Sequence, residues 1–69
     1  MKSFVSLFKT ISDESRQKIL LLLDKGGLPV GDIAKKTRLS QPNTSGHLAI
    51  LKSVGIVTSS KMGNSVVYS

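Results

Sequence analysis

The chain has 69 residues, room for a single domain over residues 1–69, and no cysteine, which excludes disulfide staples and thiolate metal ligands. Ten Lys and Arg stand against four Asp and Glu, a formal net charge of +6, and the acids Asp13, Glu14, Asp24 and Asp32 all precede Ile33. Over residues 33–69 the charged residues are Lys35, Lys36, Arg38, Lys52 and Lys61, so the second half either attracts a polyanion or presents a solvated basic face.

No leader is expected, because Lys2, Ser3, Ser6, Lys9 and Thr10 interrupt residues 1–11. The apolar run 19–23 is far shorter than the roughly 20 residues that span a bilayer. These features predict a soluble, cytoplasmic protein with no membrane partner.

Phe4, Leu7, Phe8 and Ile11 follow the i, i+3, i+4, i+7 spacing of an amphipathic helix. The stripe either packs within its own core or supplies a self-complementary patch for a homodimer. Ser12 is the expected cap of a second helix, with Asp13 and Glu14 in its first turn, where the helix dipole favours negative charge. Residues 19–23 read as the centre of the core, apolar almost all round, and Gly26-Gly27 as the left-handed stop. Leu28-Pro29 must be extended. Val30, Ile33, Ala34 and Thr37 then line one face of a short third helix, with Lys35, Lys36 and Arg38 pointing elsewhere and Leu39 filling a tight turn.

Ser40 is a suitable cap for a fourth helix, and Pro42 falls in its first turn, where the missing N–H is harmless. Thr44, Leu48 and Leu51 form its core face, His47 borders that face, and Gly55 terminates it. Residues 56–60 and 65–68 are β-prone and flank Lys61-Met62-Gly63-Asn64, where Gly-Asn suits a hairpin turn. The expected fold is mainly α with a small β-hairpin: a winged helix-turn-helix of four helices plus a two-stranded wing.

Residues 30–55 carry the functional signal, since a helix-turn-helix lays its second helix in the major groove with the N-terminal residues near base edges. Gln41 and Asn43 can donate and accept at once, as the adenine edge requires. Ser40, Thr44 and Ser45 hydroxyls and helix-start N–H groups can hold phosphate. Each of these residues taken alone could equally be a capping or surface residue. Together, on a face without carboxylates and beside the basic block, they favour DNA contact.

These segments resemble the winged-helix repressors of the ArsR/SmtB type. The matching stretches are Leu7-Phe8-Lys9-Thr10-Ile11-Ser12-Asp13-Glu14-Ser15-Arg16, Asp32-Ile33-Ala34, Leu39-Ser40-Gln41-Pro42-Asn43-Thr44-Ser45-Gly46-His47-Leu48 and Leu51-Lys52-Ser53-Val54-Gly55-Ile56-Val57. The resemblance implies a dimer that binds a partly palindromic operator in double-stranded DNA and blocks transcription. It implies a recognition helix over residues 41–53, a wing over residues 56–68, and Ser40, Gln41, Asn43, Ser45 and Gly46 against DNA. Lys35, Arg38, Thr44, His47, Lys52, Lys61 and Asn64 complete the expected contact set.

His47 has three readings: helix packing with one nitrogen hydrogen-bonded, DNA contact, or metal ligand, the last disfavoured for a lone His. Arg16 could reach phosphate or pair with Asp13. Lys61 and Asn64 at the wing tip could touch DNA or form a plain turn. Two departures from the family bear on regulation. Pro29 and Gly31 occupy the positions of a metal-binding cysteine pair, and no final helix follows the wing before Ser69, so no metal, no cofactor and no dimerisation through such a helix are expected.

An enzyme is not expected, because there is no Cys nucleophile, no paired carboxylates, no phosphate-binding glycine loop and one His. The rival reading is a winged-helix module for protein contact or non-specific nucleic-acid binding within a larger assembly. Such a helix would more often carry outward apolar anchors, for which Ile50 is the sizeable candidate.

Overall fold

Helix α1 (Phe4–Ile11) opens the computed structural model, which describes residues 4–69; Met1, Lys2 and Ser3, part of the stretch considered above for a leader, lie outside the described residues. It packs on α2 (Glu14–Leu23), and two α2 side chains close its C-terminal end. Arg16 Nη1 donates to the Thr10 carbonyl at 3.1 Å and Gln17 Nε2 to the Ile11 carbonyl at 2.9 Å. Carbonyls that a helix end leaves without partners are thereby satisfied.

The cap of α2 is Asp13 rather than Ser12. The Asp13 carboxylate accepts the Arg16 backbone N–H at 3.1 Å, whereas the Ser12 hydroxyl donates backwards to the Lys9 carbonyl at 2.9 Å. Within residues 19–23, Ile19 and Leu23 are buried, but Leu21 is 72% exposed, so the expectation of burial nearly all round is corrected. Five consecutive helical positions sweep more than a full turn, and one of them must face away from a one-sided core.

Gly26 takes φ +141°, while Gly27 is needed for a different reason from the left-handed stop predicted. A Cβ on Gly27 would lie 2.8 Å from Val67 Cγ1 and 3.3 Å from the Tyr68 carbonyl oxygen. That close approach belongs to a strand the sequence reading did not anticipate, β1 (Leu28–Pro29). It pairs antiparallel with β3 (Ser65–Tyr68), which also pairs with β2 (Ser59–Met62), so the sheet has three strands in the order β1-β3-β2. Pro29 sits on an edge strand, where its missing N–H is tolerated.

Helices α3 (Val30–Thr37) and α4 (Gln41–Ser53) end with the same hydrogen-bond pattern. After α4, Gly55 N–H donates to the Lys52 carbonyl and Ile56 N–H to the Leu51 carbonyl, both at 3.0 Å, with Gly55 at φ +80°. After α3, Arg38 N–H donates to the Lys35 carbonyl and Leu39 N–H to the Ala34 carbonyl, with Arg38 at φ +62°. Both are Schellman-type ends, and in each the residue that follows, Ile56 or Leu39, packs on the core.

Ile19, Leu23, Ile33, Leu48, Leu51 and Val57 form that core, with Leu20, Leu22, Leu28, Val30, Leu39, Ile56 and Tyr68 packed around it. Ile56 and Val57, expected to begin the first wing strand, instead belong to the helix end and the core. The strand accordingly starts at Ser59 and takes in Lys61 and Met62. The turn is Gly63-Asn64 alone, with positive φ at Gly63 and not at Asn64, the φ pattern of a type II′ hairpin.

Because the space beside Gly27 is closed by β3, Gly27→Ala should lower stability by about 1–3 kcal/mol, as overpacking does. Urea unfolding followed by circular dichroism measures this. A wild-type midpoint would show that the β1–β3 contact yields without cost.

Candidate nucleic-acid interface

The pose of α4 follows from three residues spaced i, i+4 and i+7. Thr44, Leu48 and Leu51 are each 0% exposed and turn one side of the helix into the core. The Thr44 hydroxyl donates to the Ser40 carbonyl at 2.8 Å. Thr44 is therefore removed from the predicted DNA-contact set, because its only hydroxyl is buried and bonded within the helix.

At 100° per residue the side opposite this stripe carries Pro42, Gly46, Ala49 and Ser53, all exposed. This centre line of small residues was missed as a unit in the sequence, although the core spacing was enough to locate it. Nothing lies within 4 Å of a Cβ built on Gly46. Ile50, 39% exposed and the outward apolar candidate of the rival reading, flanks the line on one side with Asn43 and His47, and Gln41, Ser45 and Lys52 flank it on the other. Ser40 caps the helix by accepting the Asn43 N–H at 3.2 Å. The Gln41 side-chain oxygen lies 4.0 Å from the point a Cβ on Gly31 would occupy, so this side chain leans over the start of α3.

Lys36 and Arg38 line a surface hollow together with Lys18, Leu21, Leu22, Asp24 and Lys25, on the side of α3 toward α2. Lys35, Lys36, Arg38 and Lys61 are exposed, and none has a carboxylate partner among the described residues. Lys52 Nζ donates to Ser59 Oγ at 2.6 Å and so joins the end of α4 to the first residue of β2. Lys61 is not at the hairpin tip as expected. It lies within β2, opposite Val66, while Asn64 occupies the turn.

The half-buried His47 is hydrogen-bonded across the fold. Arg16 Nε donates to His47 Nδ1 at 3.2 Å, while Nη1 of the same guanidinium holds the Thr10 carbonyl. Of the two roles considered for Arg16, a side-chain ion pair with Asp13 is not formed. Asp13 meets Arg16 through its backbone N–H instead, and this bond is the main reason its carboxyl lies below the usual value. Desolvation opposes the shift, and attraction to His47 in its protonated form and to Arg16 adds to it. The folded value lies below the unfolded one, so the cap's contribution is complete at neutral pH and is lost as pH falls through the lowered value.

On α1, Phe4 is 89% and Phe8 69% exposed, with Ile11 exposed and Leu7 half-buried. Val5, 64% exposed, joins the patch and was not singled out in the sequence. The stripe is thus not packed within its own core, where Thr10 is the buried α1 residue.

Arg38 holds a left-handed conformation that costs an L-residue about 1–2 kcal/mol, against about 0.5–1 kcal/mol for the extra backbone freedom of an unfolded glycine. Arg38→Gly should therefore raise stability by up to about 1 kcal/mol, read as a higher urea midpoint at unchanged slope. A lower midpoint would mean that the guanidinium stem contributes packing that outweighs the strain.

The profile described as "Bacterial regulatory protein, arsR family" matches residues 13–59. Over 64 residues the chain is 42% identical to the transcriptional repressor SdpR of Bacillus subtilis, covering 93% of this chain and 71% of SdpR. It superposes with a TM-score of 0.87 and 37% identity on HlyU of Vibrio cholerae, a transcriptional activator, covering 94% of this chain and 68% of that one. A homodimeric winged helix-turn-helix DNA-binding domain, Mb0332 of Mycobacterium bovis, gives a TM-score of 0.88 at 31% identity, covering 93% of this chain and 59% of that one. The chain thus spans about three-fifths to seven-tenths of the length of these relatives. With 47 contiguous residues under the profile (13 through 59) and the helix-turn-helix and wing in place, the chain belongs to the arsR family of bacterial regulatory proteins, DNA-binding regulators of transcription.

Proposed function

We propose that this chain binds duplex DNA as a homodimer in the cytoplasm, lays the outer face of α4 in the major groove, and represses transcription. The observation that carries the reading is that face itself: small along its centre at Pro42, Gly46 and Ala49, edged by amides and hydroxyls with Ile50 as its one sizeable apolar side chain, and free of carboxylates. Small residues let the helix backbone approach the groove floor. Gln41, Asn43 and Ser45 can then meet base edges, and Ser40 and the N–H groups of the first turn can meet phosphate. Lys35, Arg38, Lys52, Lys61 and Asn64 supply contacts to the flanking backbone, and His47 lies at the edge of the same face.

Arg38 adds support of another kind. Strained backbone persists where the surroundings over-determine it, often at functional sites, and here the strain keeps a guanidinium at the turn between α3 and α4. Repression follows most simply from occupancy, because a small domain seated over a promoter excludes polymerase without needing a further surface. The Mb0332 relative is described as homodimeric, and the uncovered α1 face of this chain has the apolar character such an interface requires.

Gly46→Ala separates DNA contact from folding. The added methyl meets open space in the free protein, so stability should rise by roughly 0.8–1 kcal/mol from helix propensity alone. Affinity for duplexes selected from a random library should fall about tenfold, ~1.4 kcal/mol, because the methyl occupies the approach to the groove. Asn43→Ala should weaken binding selectively at one base position, and Lys61→Ala should reduce the salt slope by about one. A chain that binds no duplex even at low salt would favour the protein-docking alternative.

For the dimer, Phe8→Ser should convert a dimeric chain to a monomer in sedimentation velocity with little change in the circular dichroism spectrum, since Phe8 contributes little to its own core. A monomeric wild type at micromolar concentration would remove the two-half-site geometry.

A further inference from the structure

Three helices meet at one guanidinium. Arg16, in the first turn of α2, donates through Nη1 to the Thr10 carbonyl at the end of α1 and through Nε to His47 Nδ1 on α4. Its own backbone N–H is held by the Asp13 cap, so the base of the side chain is fixed as well. A nitrogen that accepts a hydrogen bond carries no proton, so neutral His47 is held as the Nε2–H tautomer. No buried side-chain polar atom lacks a partner among the described residues, and Nε2 makes no hydrogen bond, so Nε2 reaches solvent. It does so one turn beyond Asn43, on the flank of the proposed groove-facing surface.

Resting on the DNA-binding reading above, we infer that Arg16 is a positioning residue for α4: through His47 it fixes the recognition helix against the end of α1, the helix that carries the dimer patch. This link requires a neutral imidazole. Protonated His47 has no acceptor for the Arg16 N–H, and the two cations would face each other at hydrogen-bond distance. The other charged group near the ring is Asp13, which favours the imidazolium. A histidine that merely touched phosphate would behave oppositely, since its protonation would add a cation to the interface and strengthen binding.

The test uses the full chain with 15N label. In the free protein, a scalar coupling across the hydrogen bond should connect Arg16 Nε with His47 Nδ1 and vanish as His47 is titrated. Affinity for the selected duplex at constant salt should fall about tenfold through that same titration, the loss appropriate to one hydrogen bond from a charged group. His47→Asn, whose side-chain oxygen can stand where Nδ1 was, should abolish the pH response and bind more tightly than His47→Leu, which should lose about tenfold. Circular dichroism of both variants separates these losses from unfolding. A missing coupling, or affinity that rises on protonation with a salt slope steeper by about one, would overturn the role of Arg16 while leaving DNA binding intact. A chain that shows the coupling but binds no duplex would instead overturn the DNA-binding reading, and with it the role inferred from it.

Discussion

Burial of Thr44, Leu48 and Leu51 governs the rest of the molecule. These three side chains fix the rotation of α4 about its axis, and rotation decides which residues face outward. A slip by one residue would turn the helix by about 100° and carry the small central line away from solvent. Truncating Leu48 or Leu51 would therefore act twice, by opening a cavity of the kind that costs about 2–5 kcal/mol and by loosening the orientation of every polar residue on the far side. The core around α4 comes from α2, α3 and Val57, so these two helices and the segment after α4 serve that seating.

Much of this was legible in the residues. Period-3.6 apolar spacing located the core faces of α3 and α4, and Ser40 with Pro42 marked the start of the recognition helix, because caps and first-turn prolines act through local chemistry. The misreadings share a different cause. Asp13 displaced Ser12 as a cap because each can satisfy an orphan donor and one-residue differences in helix start are close in energy. Strand β1 was missed because two residues carry no periodicity, and its partner lies some forty positions away, at Val67 and Tyr68. Ile56 and Val57 read as strand from their β-branched side chains, yet the end of α4 took their N–H groups and the core took Val57. Thr44 could be read as core from its spacing or as a contact from its hydroxyl, and burial decided between them. The Arg16–His47 bond spans 31 positions and joins two polar residues, so no local pattern could announce it.

The two helix ends show how the same geometry is met with different residues for different purposes. Beyond α4 the left-handed position is Gly55, the residue that adopts it without strain. Beyond α3, within the helix-turn-helix, it is Arg38, although glycine would be easier there. Both ends make the same pair of backbone bonds and bury a following apolar residue, so folding requirements alone give no preference for arginine. The exposed guanidinium makes no ion pair among the described residues and lines a hollow with Lys18, Asp24, Lys25 and Lys36, so what its position adds is positive charge beside the turn into α4.

The distribution of charge and apolar surface follows from the same economy. With 69 residues the core is small, and helix α1 adds little to it while leaving Phe4, Val5 and Phe8 in water. A second copy of α1 is a suitable cover, since an isologous contact matches a patch with itself and needs no second evolved surface. Such pairing would place two α4 helices at a fixed separation only if α1 and α4 were rigidly related within each chain. Packing of α1 on α2 supplies part of that relation. The guanidinium of Arg16, bonded to the end of α1 on one side and to α4 on the other, supplies a directional part that apolar contact cannot, because a hydrogen bond constrains angle as well as distance.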